Sequence, residues 1–129
     1  MRSVYLLIAL GGALGAVGRY AFGGWVHTRL GAAFPWGTLA VNVLGSTLLG
    51  LVLGILNQVP VSVEARAFLT IGVLGAFTTF STFSYETVAL LRDGEWRLAV
   101  PYVGASLGAA FIGLALGLVV SEAVLEATR

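Results

Sequence analysis

The chain has 129 residues, 58% of them hydrophobic and only 10% charged, against roughly 25% charged residues in an ordinary water-soluble domain; a soluble globular fold is excluded. Seven arginines, no lysine and six acids leave a net charge of +1, which supplies neither a basic surface for nucleic acid nor an acidic tail. With no cysteine there is no disulfide framework, thiolate nucleophile or thiolate metal site.

Crossing the hydrocarbon core takes about 20 apolar residues, and charged residues divide the chain into four segments of that size, at approximately 4–26, 36–57, 67–91 and 98–120. The first apolar run, 4–17, follows a single arginine as a signal peptide would. It continues through Tyr20 to Val26 without a small-residue cleavage site and reads as a retained span. Arg19, in GAVGRY, is the one basic residue placed within a span; it either snorkels outward or draws anions into a vestibule. His27, the single histidine, falls in the connection that follows, has no neighbouring ligands and reads as solvated.

In the second span, Thr38 and Asn42 lie one helical turn apart in TLAVNVLGS. The amide of Asn42 can donate two hydrogen bonds, and such polar groups at membrane depth serve either function or interhelical adhesion. The third span is the anomaly. From Gly75 it reads GAFTTFSTFSYE, placing Thr78, Thr79, Ser81, Thr82 and Ser84 at membrane depth. One or two hydroxyls bond back harmlessly to a carbonyl four residues earlier, but five in a row after Gly72 and Gly75 predict a broken helix. Non-helical backbone at this depth survives only when buried in protein or lining a watery cavity. Phe77, Phe80 and Phe83 would form one stripe on a helix, and a phenyl ring edge carries partial positive charge that attracts an anion weakly. Glu86 closes the run and is expected to be solvated or paired with an arginine. In the fourth span, Tyr102 and Ser106 put hydroxyls on one face, although Tyr102 would also suit an interfacial aromatic belt.

Trp25, Trp36 and Trp96 stand at predicted span ends, where indole suits the headgroup layer. GxxxG spacing joins Gly11 to Gly15, Gly50 to Gly54, Gly104 to Gly108 and Gly113 to Gly117, predicting close helix contacts. Four helices packed that tightly leave no wide axial pore, so a permeation path calls for a second subunit and a homodimer is expected. Four spans put both termini on one side. Arg2, Arg66 and Arg129 then face Arg29, Arg92 and Arg97, with Arg19 leaning to the latter. Orientation follows arginine asymmetry, and almost none exists. Either another feature fixes one orientation, or both are inserted and pair antiparallel. The remaining acids, Glu64, Asp93, Glu95, Glu122 and Glu126, fall outside the spans, so neither a catalytic nor a transition-metal constellation is visible.

GGALGAVGRY in the first span, FPWGTLAVNVLGSTLLG in the second and GVLGAFTTFSTFSYE in the third resemble the Fluc (CrcB-type) fluoride channel family, in order and spacing across nearly the whole chain. The resemblance implies an all-α integral membrane fold in a single four-span domain, 1–129, assembled as an antiparallel dual-topology homodimer in a microbial inner or plasma membrane. It implies a non-enzymatic channel with two pores that exports toxic fluoride down its electrochemical gradient. By position, Phe80, Phe83 and Asn42 correspond to residues along the fluoride pathway, and Thr38, Tyr102 and Ser106 to further polar lining. Gly75 and Thr78 correspond to backbone carbonyls that hold a structural Na+ shared between subunits, in keeping with the preference of hard cations for oxygen. One departure is Ala110, where some members carry another hydroxyl, so the polar track is expected to end earlier here.

The rival of another class is a small proton-coupled multidrug exporter, also of four spans and often of dual topology. That chemistry needs a membrane-embedded carboxylate, and the first span has no acid. A subunit serving assembly alone would leave the clustered hydroxyls unexplained. If antiparallel pairing is obligatory, adding two or three arginines to one side imposes a single orientation, and that protein expressed alone loses fluoride flux in reconstituted vesicles. Undiminished flux would argue against antiparallel pairing.

Overall fold

In lipid no water is available to satisfy backbone N–H and C=O groups, so apolar runs of this length close as helices. A computed structural model describes residues 2–128. Its elements are α1 (Arg2–Leu30), α2 (Trp36–Leu56), α3 (Val63–Ala67), a π-helical stretch (Phe68–Leu74), α4 (Gly75–Phe77), α5 (Phe80–Arg92) and α6 (Trp96–Ala127). The four helical spans expected from sequence are present, the third being the interrupted run Val63–Arg92.

The helices outrun the spans predicted from hydropathy, because a polar residue ends a membrane span without ending a helix. Thus α1 continues to Leu30, and His27 belongs to its last turn rather than to a loop. The turn comes at Gly31, whose φ of 86° lies in the left-handed region that glycine enters freely. In the same way α6 runs beyond Val120 to Ala127. Two side chains shape the connection at the other end of the bundle. Ser62 caps α3 by accepting from the Ala65 amide at 3.2 Å. Arg66 donates to the Leu56 carbonyl at 2.5 Å and to Asn57 Oδ1 at 3.1 Å, satisfying the end of α2 and placing a cation at its negative pole.

Glycine sets the helix contacts. On α2 and α6, Gly50 lies directly under the Leu114 carbonyl, Gly117 under the Thr47 carbonyl and Gly54 against Ser121, so a Cβ at any of them would collide. On the other side of the bundle, Gly11 meets the Phe68 carbonyl and Gly72, and Gly15 meets the Val73 carbonyl. The wide π turn of the third span is therefore clasped by α1. The close contacts that GxxxG spacing predicts are made by three of the four pairs; a Cβ on Gly104 or Gly108 would meet nothing within 4 Å. Val41, Tyr102 and Ser121 are fully buried, and α1 turns Leu6, Leu10, Leu14 and Val17 outward, as a lipid-facing surface requires.

Gly117→Ala drives a methyl into the Thr47 carbonyl and lowers stability by about 1–3 kcal/mol. Gly12→Ala, where the added Cβ meets nothing within 4 Å, stays within about 0.5 kcal/mol of the parent. Thermal unfolding of the two variants in one detergent checks the contrast.

Candidate functional site

The helix break falls where the hydroxyl run predicts it. Thr78 and Thr79 are extended, with φ, ψ of −83°, 159° and −150°, 116°. Two backbone groups stranded by the break are met by a single side chain. Asn42 donates through Nδ2 to the Thr79 carbonyl at 2.9 Å and accepts at Oδ1 from the Thr79 amide at 2.7 Å, reproducing the pairing a neighbouring strand would give. Thr79 in turn caps α5: its Oγ1 accepts from the Thr82 amide at 3.2 Å and donates to Thr82 Oγ1 at 3.0 Å. The other hydroxyls behave differently. Thr78 and Ser84 bond back to Leu74 and Phe80 at 3.2 and 2.9 Å, the ordinary way a helix absorbs them.

The break also splits the expected phenylalanine stripe. Phe77 ends α4 and faces α1 and α2, with its ring 6.2 Å from Phe22 and against Gly18 and Gly45. Phe80 and Phe83 open α5 on another side, with ring centroids 5.4 Å apart. Phe83 is buried and Phe80 is 72% exposed. A three-residue spacing marks one face only while the helix is continuous, and here it is not.

Glu86 corrects a second expectation. Instead of solvent or an arginine, its carboxylate meets two hydroxyls: Thr38 donates to Oε1 at 2.9 Å and Tyr102 to Oε2 at 2.6 Å. α5 turns Glu86 inward, onto the polar faces of α2 and α6. Tyr102 is accordingly not a belt residue. It is completely buried, with its ring 5.3 Å from Phe83 and edge-on to Phe34 at 5.4 Å.

Two cavities flank this assembly. The first, of about 430 Å³, is bounded by Arg19, Tyr20, His27, Thr38, Thr79, Thr82 and Glu86, among others. The second, of about 300 Å³, is bounded by Asn42, Ser46, Thr78, Thr79, Phe80, Phe83, Ser106, Ala110 and Phe111, among others. Thr79 belongs to both walls. Tyr102 and Phe83 stand between the Glu86 end of the first cavity and the phenylalanine groove of the second. Ser106 Oγ is buried without a hydrogen-bond partner, alone in this among the described residues. Beyond it the wall is apolar at Ala110 and Phe111. Gly75, at the outer surface of α4, is exposed.

The sequence thus pointed to Thr38, Asn42, Phe80, Phe83, Tyr102 and Ser106, and the structure gathers these around the two cavities, with Arg19 lining the first. It adds Glu86 and Ser46, and gives Thr79 and Thr82 of the hydroxyl run their partners. Ser46 stands one turn beyond Asn42, a spacing that could have found it. The role of Glu86 could not be read from spacing, since its partners are 48 and 16 residues away.

Comparison with known proteins shows the family that the sequence matches. The profile of the family described as CrcB-like protein, Camphor Resistance (CrcB), matches residues 6–118. The chain is 56% identical over 112 residues to the fluoride-specific ion channel FluC of Thermus thermophilus, covering 87% of this chain and 86% of that one. Proteins of the same name from Geobacter sulfurreducens and Acidobacterium capsulatum are 50% identical over 118 residues and 46% over 121, covering 91% and 93% of this chain and 95% and 97% of theirs.

Asn42→Ala leaves the Thr79 amide and carbonyl unpaired, at about 1–3 kcal/mol for each group. Thermal unfolding should show the loss, whereas Ser46→Ala, which removes no hydrogen bond of the described residues, should shift stability by no more than about 0.5 kcal/mol.

Proposed function

This chain belongs to the CrcB-like family, and we propose on that footing that it is a fluoride-specific ion channel through which toxic fluoride leaves the cell passively, down its electrochemical gradient. The observation that carries the reading at the level of chemistry is the lining of the second cavity. It offers ring edges from Phe80 and Phe83, the remaining N–H of Asn42 and the unpartnered hydroxyl of Ser106, and no formal charge. A small, tightly hydrated anion must exchange water for donors, yet be held weakly enough to leave. Hydroxyl and amide donors with positive ring edges supply that balance, and a narrow groove disfavours chloride by size. Arg19, half-buried and without an ion pair among the described residues, draws anions to the first cavity. Thr38 and Tyr102 donate to the Glu86 carboxylate in the wall of the same cavity, which tempers the charge that would oppose an arriving anion.

One copy builds only half of such a path. Phe80 and Phe111 are each 72% exposed, and Gly104 and Gly108 offer a smooth, unused helix face. A second copy in the opposite orientation closes the groove, and the near-equal arginine count on the two sides permits that orientation. Twofold symmetry then gives the path twice.

The break also fits a structural Na+ held by Gly75 and Thr78. In an unbroken helix their carbonyls would accept from the amides of residues 79 and 82. Here those amides are taken by Asn42 Oδ1 and Thr79 Oγ1. Both carbonyls are freed as oxygen donors of the kind a hard cation takes, and two per copy call for a partner's two to complete a shell. A bound cation would supply positive charge that ties two crossing breaks together.

Purified protein in vesicles loaded with fluoride, read by an ion-selective electrode, should release fluoride and retain chloride. Phe80→Ile or Phe83→Ile should slow release by roughly tenfold or more, equivalent to about 1.4 kcal/mol, with the dimer intact by size-exclusion chromatography. Replacing sodium with a bulky organic cation should weaken both dimer and flux. Equal release of chloride and fluoride would overturn the reading.

A further inference from the structure

We infer that the Ser46 hydroxyl is a further fluoride-binding group of the second cavity, standing on α2 at the level where Ala110 leaves α6 without a donor; the inference rests on the channel reading above. Helices α2 and α6 run side by side in the same direction, and three contacts fix their register. Thr38 and Tyr102 donate to one carboxylate, Gly50 lies under Leu114, and Gly54 meets Leu118 as well as Ser121. The interval along the chain is the same in the pairs Thr38 with Tyr102, Gly50 with Leu114 and Gly54 with Leu118. The positions between them follow in steps of one helical turn. Asn42 is therefore level with Ser106, and Ser46 with Ala110. All four of these residues line the second cavity.

The other hydroxyls of these two helices are already spent. Thr38 and Tyr102 donate to Glu86, Thr47 to the Val43 carbonyl at 2.8 Å and Ser121 to the Leu118 carbonyl at 2.6 Å. Among the described residues of α2 and α6, Ser46 and Ser106 alone keep a hydroxyl without a hydrogen-bond partner. A serine at membrane depth that serves only the fold bonds back to its own helix or across to a neighbour. Ser46 does neither, and it is half-buried in a cavity wall. Its O–H can donate to an anion, as the methyl of Ala110 cannot. An ion leaving the level of Asn42 and Ser106 thus finds one more donor beside the apolar surface of Ala110 and Phe111. The polar track passes from α6 to α2 at that level, and successive weak contacts of this kind keep an ion moving.

The test is fluoride efflux from vesicles, read by an ion-selective electrode, for the parent, Ser46→Ala, Ala110→Ser and the chain carrying both substitutions. Ser46→Ala removes no hydrogen bond of the described residues, so its thermal unfolding should match the parent while efflux falls by roughly three- to tenfold. Ala110→Ser alone should pass no less fluoride than the parent. Added to Ser46→Ala, it returns a hydroxyl to the same level from the other helix and should recover most of the lost efflux, which a purely structural role for Ser46 would not allow. Parental efflux in Ser46→Ala, an unfolding temperature that falls along with its efflux, failure of the double variant to recover, or reduced efflux in Ala110→Ser would each overturn the role of Ser46. The channel reading would stand in all four cases as long as the parent releases fluoride and retains chloride. A parent that releases no fluoride, or releases chloride equally, overturns the channel reading and this inference with it.

Discussion

The structure depends on one pair of hydrogen bonds, those between the Asn42 side chain and the backbone of Thr79. A transmembrane helix is stable because each of its peptide groups is satisfied within the segment. Opening it at Thr78 and Thr79 strands an amide and a carbonyl at a depth where an unpaired group costs several kcal/mol. An asparagine on the neighbouring helix carries both a donor and an acceptor on one rigid plane, and so returns both groups to bonding with a single residue. Thr79 then caps the helix that follows. The chain can be irregular here because two side chains replace what the helix gave up.

Everything of functional interest radiates from that exchange. The same two side chains that satisfy the amides of residues 79 and 82 release the carbonyls that those amides would have bound, at Gly75 and Thr78. The same break turns Phe80 and Phe83 away from Phe77 and into the groove. It also redirects α5 so that Glu86 reaches Thr38 and Tyr102. On the opposite face, glycines of α1 let the π turn of the third span approach backbone to backbone, which fixes the depth at which the helix opens. A mutation that merely swelled Gly15 would therefore be felt at the break without touching it.

Charge is used sparingly along the proposed path. The groove beside the phenylalanines has none, the one embedded carboxylate is tied by two hydroxyls, and Arg19 lines the same cavity as that carboxylate. An uncharged groove of donors and ring edges suits weak holding of an anion, as rapid passage requires. The exposed Phe80 and Phe111 and the open glycine face of α6 are the features on which the proposal of a second copy rests.

The number of spans, the location of the break and most of the residues around it were legible in the amino-acid sequence alone. These are local or periodic properties: apolar length sets a span, and clustered hydroxyls after glycine mark a helix that cannot continue. Tertiary structure decided the rest, because it depends on which faces meet. That Asn42 pairs with Thr79, that Glu86 is held by Thr38 and Tyr102, that Phe77 leaves the stripe of Phe80 and Phe83, and that Gly104 and Gly108 pack on nothing within the chain are facts of helix rotation. No spacing along one segment reports rotation against another. The position of His27 shows the same division. Its residue type was plain from the beginning, but only the continuation of α1 to Leu30 brought it to the wall that Arg19 and Glu86 share.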